Sequence, residues 1–62
     1  MNNYSIFKLG LLVFEDKDKF KRWLSKTNMI LDYKKPIDLL KTDKGKLQVV
    51  NCLWKIEYGD YA

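Results

Sequence analysis

The sequence contains no histidine, one cysteine and one proline. Without histidine, no imidazole-based triad and no histidine metal cluster can be assembled. A structural zinc site takes four Cys or His ligands, so none is expected here. Cys52 has no second cysteine to bridge within the monomer. It falls mid-helix on an apolar flank and reads as a small core residue. One thiol suits a reducing compartment, which makes a cytoplasmic location the default. The glycines are Gly10, Gly45 and Gly59, too scattered to form a phosphate-cradling loop. Asp16 and Asp18 are two positions apart and point to different sides of a helix. No catalytic constellation can be drawn, so neither an enzyme nor a cofactor is expected. Residues 9–14 are apolar, but they are too short to span a bilayer. They follow no basic segment and precede no small-residue cleavage site, as a signal peptide would. There are no internal repeats and no low-complexity segments. The run Gln48-Val49-Val50 is β-prone, but the helical spacing around it is longer and prevails.

What remains is a short, basic, aromatic-rich chain. Sixty-two residues predict one domain, 1–62. A domain of this size buries roughly 60% of its unfolded surface and is marginal alone. It must rely on good helical packing or on a partner. Three Phe, four Tyr and two Trp favour packing, because each ring carries a large apolar area. The net charge of +4 is uneven: residues 1–35 hold eight Lys/Arg against four Asp/Glu, while residues 36–62 hold four of each. A mild excess favours acidic partners but is too weak to argue nucleic acid by itself.

Hydrophobic spacing predicts an all-α fold, a small bundle of about four short helices with a wide-faced C-terminal central helix. Asn2 or Asn3 caps a first helix running to about Phe14, with Tyr4, Phe7, Leu11 and Phe14 at three- and four-residue spacing. Ile6, Leu9, Leu12 and Val13 widen its face, and Gly10 suggests a close helix approach. A second helix covers about 17–26, with Phe20, Trp23 and Leu24 inward. Lys17, Lys19, Lys21, Arg22 and Lys26 form a solvated face. Residues 25–35 connect, and Met29, Ile30 and Leu31 plug the core from the connection. Pro36 opens a third helix over about 36–41. Thr42 caps the fourth, which runs to Tyr58 and stops at Gly59.

That last helix carries two apolar flanks. Val49, Cys52, Leu53 and Ile56 form one; Leu47, Val50, Trp54 and Tyr58 form the other. Lys44, Gln48, Asn51 and Lys55 make a narrow polar stripe. A surface helix needs one apolar face. The second flank either meets the chain's own domain or, on the Trp54 side, meets another chain. The expected core is Phe7, Leu11, Phe14, Phe20, Trp23, Leu24, Leu31, Leu39, Leu40, Val49, Leu53 and Ile56.

Several marks occur together and in order: Trp23-Leu24, Asn28 and Leu31, Lys35-Pro36-Ile37-Asp38-Leu39-Leu40 with Thr42 and Gly45, Val49 through Leu53, and the ending Lys55-Ile56-Glu57-Tyr58-Gly59-Asp60-Tyr61-Ala62. On these residues the chain resembles the C-terminal toxin-binding domain of bacterial Xre/MbcA/ParS-type antitoxins, over about 13–62. The resemblance implies an all-helical module that binds a RES-domain toxin, an NAD-consuming enzyme, and blocks its active site with the C-terminal end. The toxin-binding residues implied are Trp54, Lys55, Glu57, Tyr58, Gly59, Asp60, Tyr61 and Ala62. Tyr58 and Tyr61 are ring anchors. Asp60 and the terminal carboxylate would meet cations in a pocket built for a dinucleotide's phosphates. Two features depart from the family pattern. Sixty-two residues leave no room for the helix-turn-helix region that usually precedes this domain, so DNA binding is not expected. Lys55 stands where arginine is common, keeping the charge but losing the bidentate fork.

Two alternatives stay open at this point. One is a basic helical accessory protein that binds nucleic acid through residues 17–26. The other is a structural homodimer with the apolar first helix as its seam. No membrane partner is expected.

Overall fold

A computed structural model describes residues 2–59. Four α-helices and one 3₁₀ turn follow in order: α1 (Asn3–Phe14), α2 (Lys17–Ser25), the turn Met29–Leu31, α3 (Pro36–Leu39) and α4 (Asp43–Tyr58). The described residues contain no strand; one isolated antiparallel bridge, Asn28 to Lys34, closes the central connection.

Local chemistry sets each boundary. The Ser5 N–H donates to Asn2 Oδ1 at 2.9 Å, capping α1. The Asp18 and Lys19 N–H groups donate to Asp16 Oδ1 at 2.8 and 3.2 Å, capping α2. The Ile30 N–H donates to Asn28 Oδ1 at 2.9 Å. Lys35 is held extended before Pro36, as the proline ring requires. Gly45 N–H donates to Thr42 Oγ1 at 3.0 Å, starting α4. Each such cap satisfies a backbone donor that the helix itself leaves open. Gly59, at φ 73°, ends α4 in the left-handed region. Helix α3 closes at Leu39, two residues earlier than expected, because Thr42 must be extended (φ −129°, ψ 157°) to cap α4.

Helix α4 is the hub. It packs against α1, α3 and the 3₁₀ turn, while α2 packs on α1 and α3. Ile6, Val49 and Leu53 are wholly buried, and each contributes about 1.5–3 kcal/mol through removal from water. Phe20, Leu24, Leu40 and Val50 complete the central cluster, and Leu31 and Cys52 are buried as well. No polar or charged side chain is buried among the described residues. Phe20 also organises an aromatic group. Its ring lies 5.8 Å from Phe7 edge-on, 5.8 Å from Phe14 and 6.2 Å from Trp23.

Two glycines set the helix spacing. A Cβ at Gly10 would overlap the Phe20 ring, and a Cβ at Gly45 would overlap the Leu39 carbonyl. The first contact explains where the core departs from the sequence reading. With the Phe20 ring seated against the α1 backbone at Gly10, the buried face of α1 centres on Ile6 and Gly10. Phe7 and Leu11, expected inside, remain 39% and 42% exposed. Phe14, Trp23, Leu39 and Ile56 are half-buried at the rim. In the connection Leu31 alone enters the core. Met29 and Ile30 stay outside, because a three-residue 3₁₀ turn aims only one of its side chains inward.

Candidate protein interaction surface

The two apolar flanks of α4 have different fates. Val49, Cys52 and Leu53 are buried, with Ile56 half-buried beside them. On the other flank only Val50 is buried; Leu47, Trp54 and Tyr58 face outward. Trp54 is 40% exposed and Tyr58 72%. Their spacing of four places them one above the other on the helix surface. The two rings stack at 5.6 Å between centroids and 17° between planes. Each ring therefore shields one face of the other, and both keep part of their surface in solvent.

The stripe extends toward the start of α4, where Asp43, Lys46, Leu47 and Val50 line a shallow depression. Glu57 lies on the same side of the helix as this depression and is exposed. On the other side of Trp54, the polar stripe faces a groove of about 300 Å³. Gln48, Asn51, Cys52 and Lys55 form its α4 wall, and Ile30, Leu31, Asp32 and Lys34 form the opposite wall. The opposite wall is a tight turn. The Asn28 carbonyl accepts from the Leu31 and Tyr33 N–H groups at 3.0 and 2.8 Å, and the Lys34 carbonyl accepts from Asn28 N–H at 3.0 Å. Asp32 and Tyr33 both take positive φ, 60° and 61°, to make it. Tyr33 and Met29 project from it, largely exposed.

The structure thus brings Trp54 and Tyr58 together, with Lys55 and Glu57 exposed on either side and Gly59 at the helix end. Asp60, Tyr61 and Ala62 lie outside the described residues. The groove was not foreseen as a groove. Its α4 wall was visible as the stripe Gln48, Asn51, Lys55, but its other wall depends on a turn whose shape no spacing reveals. Among the described residues no three Cys, Asp or Glu side chains converge as a metal site would need. No described helix is long and apolar enough to cross a membrane.

The outward flank of α4 is a candidate contact surface for a macromolecule. It joins large, half-rigid rings to a polar border that includes both signs of charge, the usual make-up of a protein interface.

Comparison with known proteins gives the chain's family. The family model described as the antitoxin Xre/MbcA/ParS C-terminal toxin-binding domain matches residues 9–59. An antitoxin Xre of Photorhabdus laumondii is 39% identical over 44 residues, which cover 71% of this chain and 30% of that protein. The chain therefore matches less than a third of the length of this curated relative. No solved structure matches significantly.

Proposed function

We propose, for a chain that belongs to the antitoxin Xre/MbcA/ParS C-terminal toxin-binding family, that its outward α4 flank and the residues after it bind and neutralise a RES-type, NAD-consuming toxin. The observation that carries this reading is the exposed Trp54–Tyr58 stack beside the helix end. A monomer gains nothing from leaving two such rings in water, whereas a protein partner gains a large rigid anchor.

In this reading Trp54 and Tyr58 seat the module against the toxin, with Lys55 and Glu57 at the rim. Gly59 turns the backbone out of the helix through its left-handed conformation, so that Asp60, Tyr61 and Ala62 enter the toxin's active site. Asp60 then occupies the cationic ground that the phosphates of NAD would otherwise take. One 62-residue domain carries the binding, and neither catalysis nor a cofactor is required of it.

The test is a truncation that removes residues 59–62. The shortened chain should retain its helical circular-dichroism spectrum and its affinity for the toxin through α4 in part, yet lose inhibition of NAD consumption by the cognate toxin. Full inhibition by the shortened chain would overturn the role of the tail.

A further inference from the structure

Away from that surface, α1 and α2 leave a second groove between them, of about 140 Å³. Phe7 and Leu11 line it from α1, and Phe20 and Leu24 from α2. Phe20 and Leu24 are buried and make the floor, while Phe7 and Leu11 stand open above it. Tyr4, one turn before Phe7, continues the apolar surface along α1 and is more exposed still. Soluble monomers seldom leave large apolar side chains contiguous and uncovered. The groove therefore has the form of a receptor for one or two aliphatic side chains.

Its edge determines what kind of partner fits. Lys17 and Lys21, one turn apart on α2, are the only charged residues among those lining the groove. Both are exposed. Their methylene stems extend the apolar wall while their ammonium groups stay at the mouth. The chain's whole excess of positive charge lies in residues 1–35, the half that builds this groove. A second copy of the same face is a poor occupant. A two-fold contact through this groove would bring the Lys17 and Lys21 edges of both copies to one seam with no acidic residue among the groove's lining to offset them.

We propose that the α1–α2 groove receives an amphipathic helix of another protein, with one or two large aliphatic side chains between Phe7, Leu11 and Leu24 and with flanking Asp or Glu residues meeting Lys17 and Lys21. An amphipathic helix laid in a groove presents anchors at three- and four-residue spacing. That spacing matches the one-turn separation of the two lysines. This surface shares no residue with the Trp54–Tyr58 flank, so its occupation is independent of toxin binding there.

Two synthetic helical peptides test the proposal, identical in a leucine stripe and flanked either by glutamates or by lysines. Each is titrated into the isotope-labelled 62-residue chain, with amide chemical shifts as the readout. The glutamate peptide should shift the signals of Phe7, Leu11, Lys17, Lys21 and Leu24, and the lysine peptide should not bind. The double variant Lys17→Glu/Lys21→Glu should weaken glutamate-peptide binding about tenfold or more while leaving the free spectrum dispersed. Equal binding of the two peptides, binding of neither, or shifts located elsewhere would overturn the proposal. So would broadening of the Phe7 and Leu11 signals with rising protein concentration alone, because the occupant would then be a second copy.

Discussion

Trp54 and Tyr58 lie ring against ring one helical turn apart, 5.6 Å between centroids, on the flank of α4 where Val50 turns inward and the two rings stay 40% and 72% exposed. The two rings stack on each other and keep part of their surface open to solvent. In the proposed function it is this open surface that meets the toxin.

The first prediction follows from that asymmetry. Trp54→Ala should leave the melting temperature nearly unchanged, yet weaken toxin binding by about 2 kcal/mol or more, roughly thirtyfold. Calorimetric titration against the cognate toxin, paired with thermal melts, measures both. A large loss of stability with unaltered affinity would place Trp54 in the core instead.

Gly45→Ala should act in the opposite manner. The new methyl group would collide with the Leu39 carbonyl, a backbone atom that cannot swing aside. Alanine's better helix propensity returns about 1 kcal/mol. Forcing α3 away from α4 costs more, so a net loss of about 1–3 kcal/mol is expected in urea unfolding. An unchanged or higher unfolding midpoint would show that α3 yields easily.

Trp23→Ala should destabilise the protein by about 3 kcal/mol, the low end for aromatic truncation. The ring is half-buried but meets Phe14 at 5.6 Å and Phe20 at 6.2 Å. Removing it takes away one side of the Phe20 packing. Unfolding of the variant at 25 °C compared with the parent gives the number directly.

Asp16 supplies a pH prediction. Hydrogen bonds from the Lys19 and Asp18 backbone N–H groups hold its carboxyl below the ordinary 3.8. These bonds favour the charged form in the folded state. A depressed folded-state value means that the cap's contribution is complete above 3.8 and is lost as pH falls through the lower, folded value. Asp16→Asn keeps a capping oxygen but removes the titration. Acid unfolding of the variant should therefore show a shallower dependence on pH below 4 than the parent, within the range where Asp16 titrates. Identical acid profiles would show that the cap does not contribute.

Much of the fold was legible because its boundaries are local. Asn2, Pro36, Thr42 and Gly59 each act on backbone groups within a few positions, and each stands where its chemistry requires. The outward flank of α4 was legible as a surplus of apolar residues, although only packing could show that Val50 turns inward while Trp54 does not. The α1 face was misjudged for a physical reason. Nearly every position from Ile6 to Phe14 is apolar, so periodicity could not choose a side. The choice was made by a ring ten residues away, Phe20, seated on Gly10. The turn at Asp32 and Tyr33 was equally opaque, since nothing in an aspartate followed by a tyrosine announces two left-handed residues in succession.

The uncharged interior described above bears on how such a module responds to its surroundings. With no Asp, Glu, Lys or Arg side chain walled inside among the described residues, shifts in acidity near neutrality or in ionic strength have little purchase on the scaffold itself. Such shifts instead act at the outer skin, tuning how quickly charged partners find the molecule and how long they stay, while the body that presents the contact residues holds its shape.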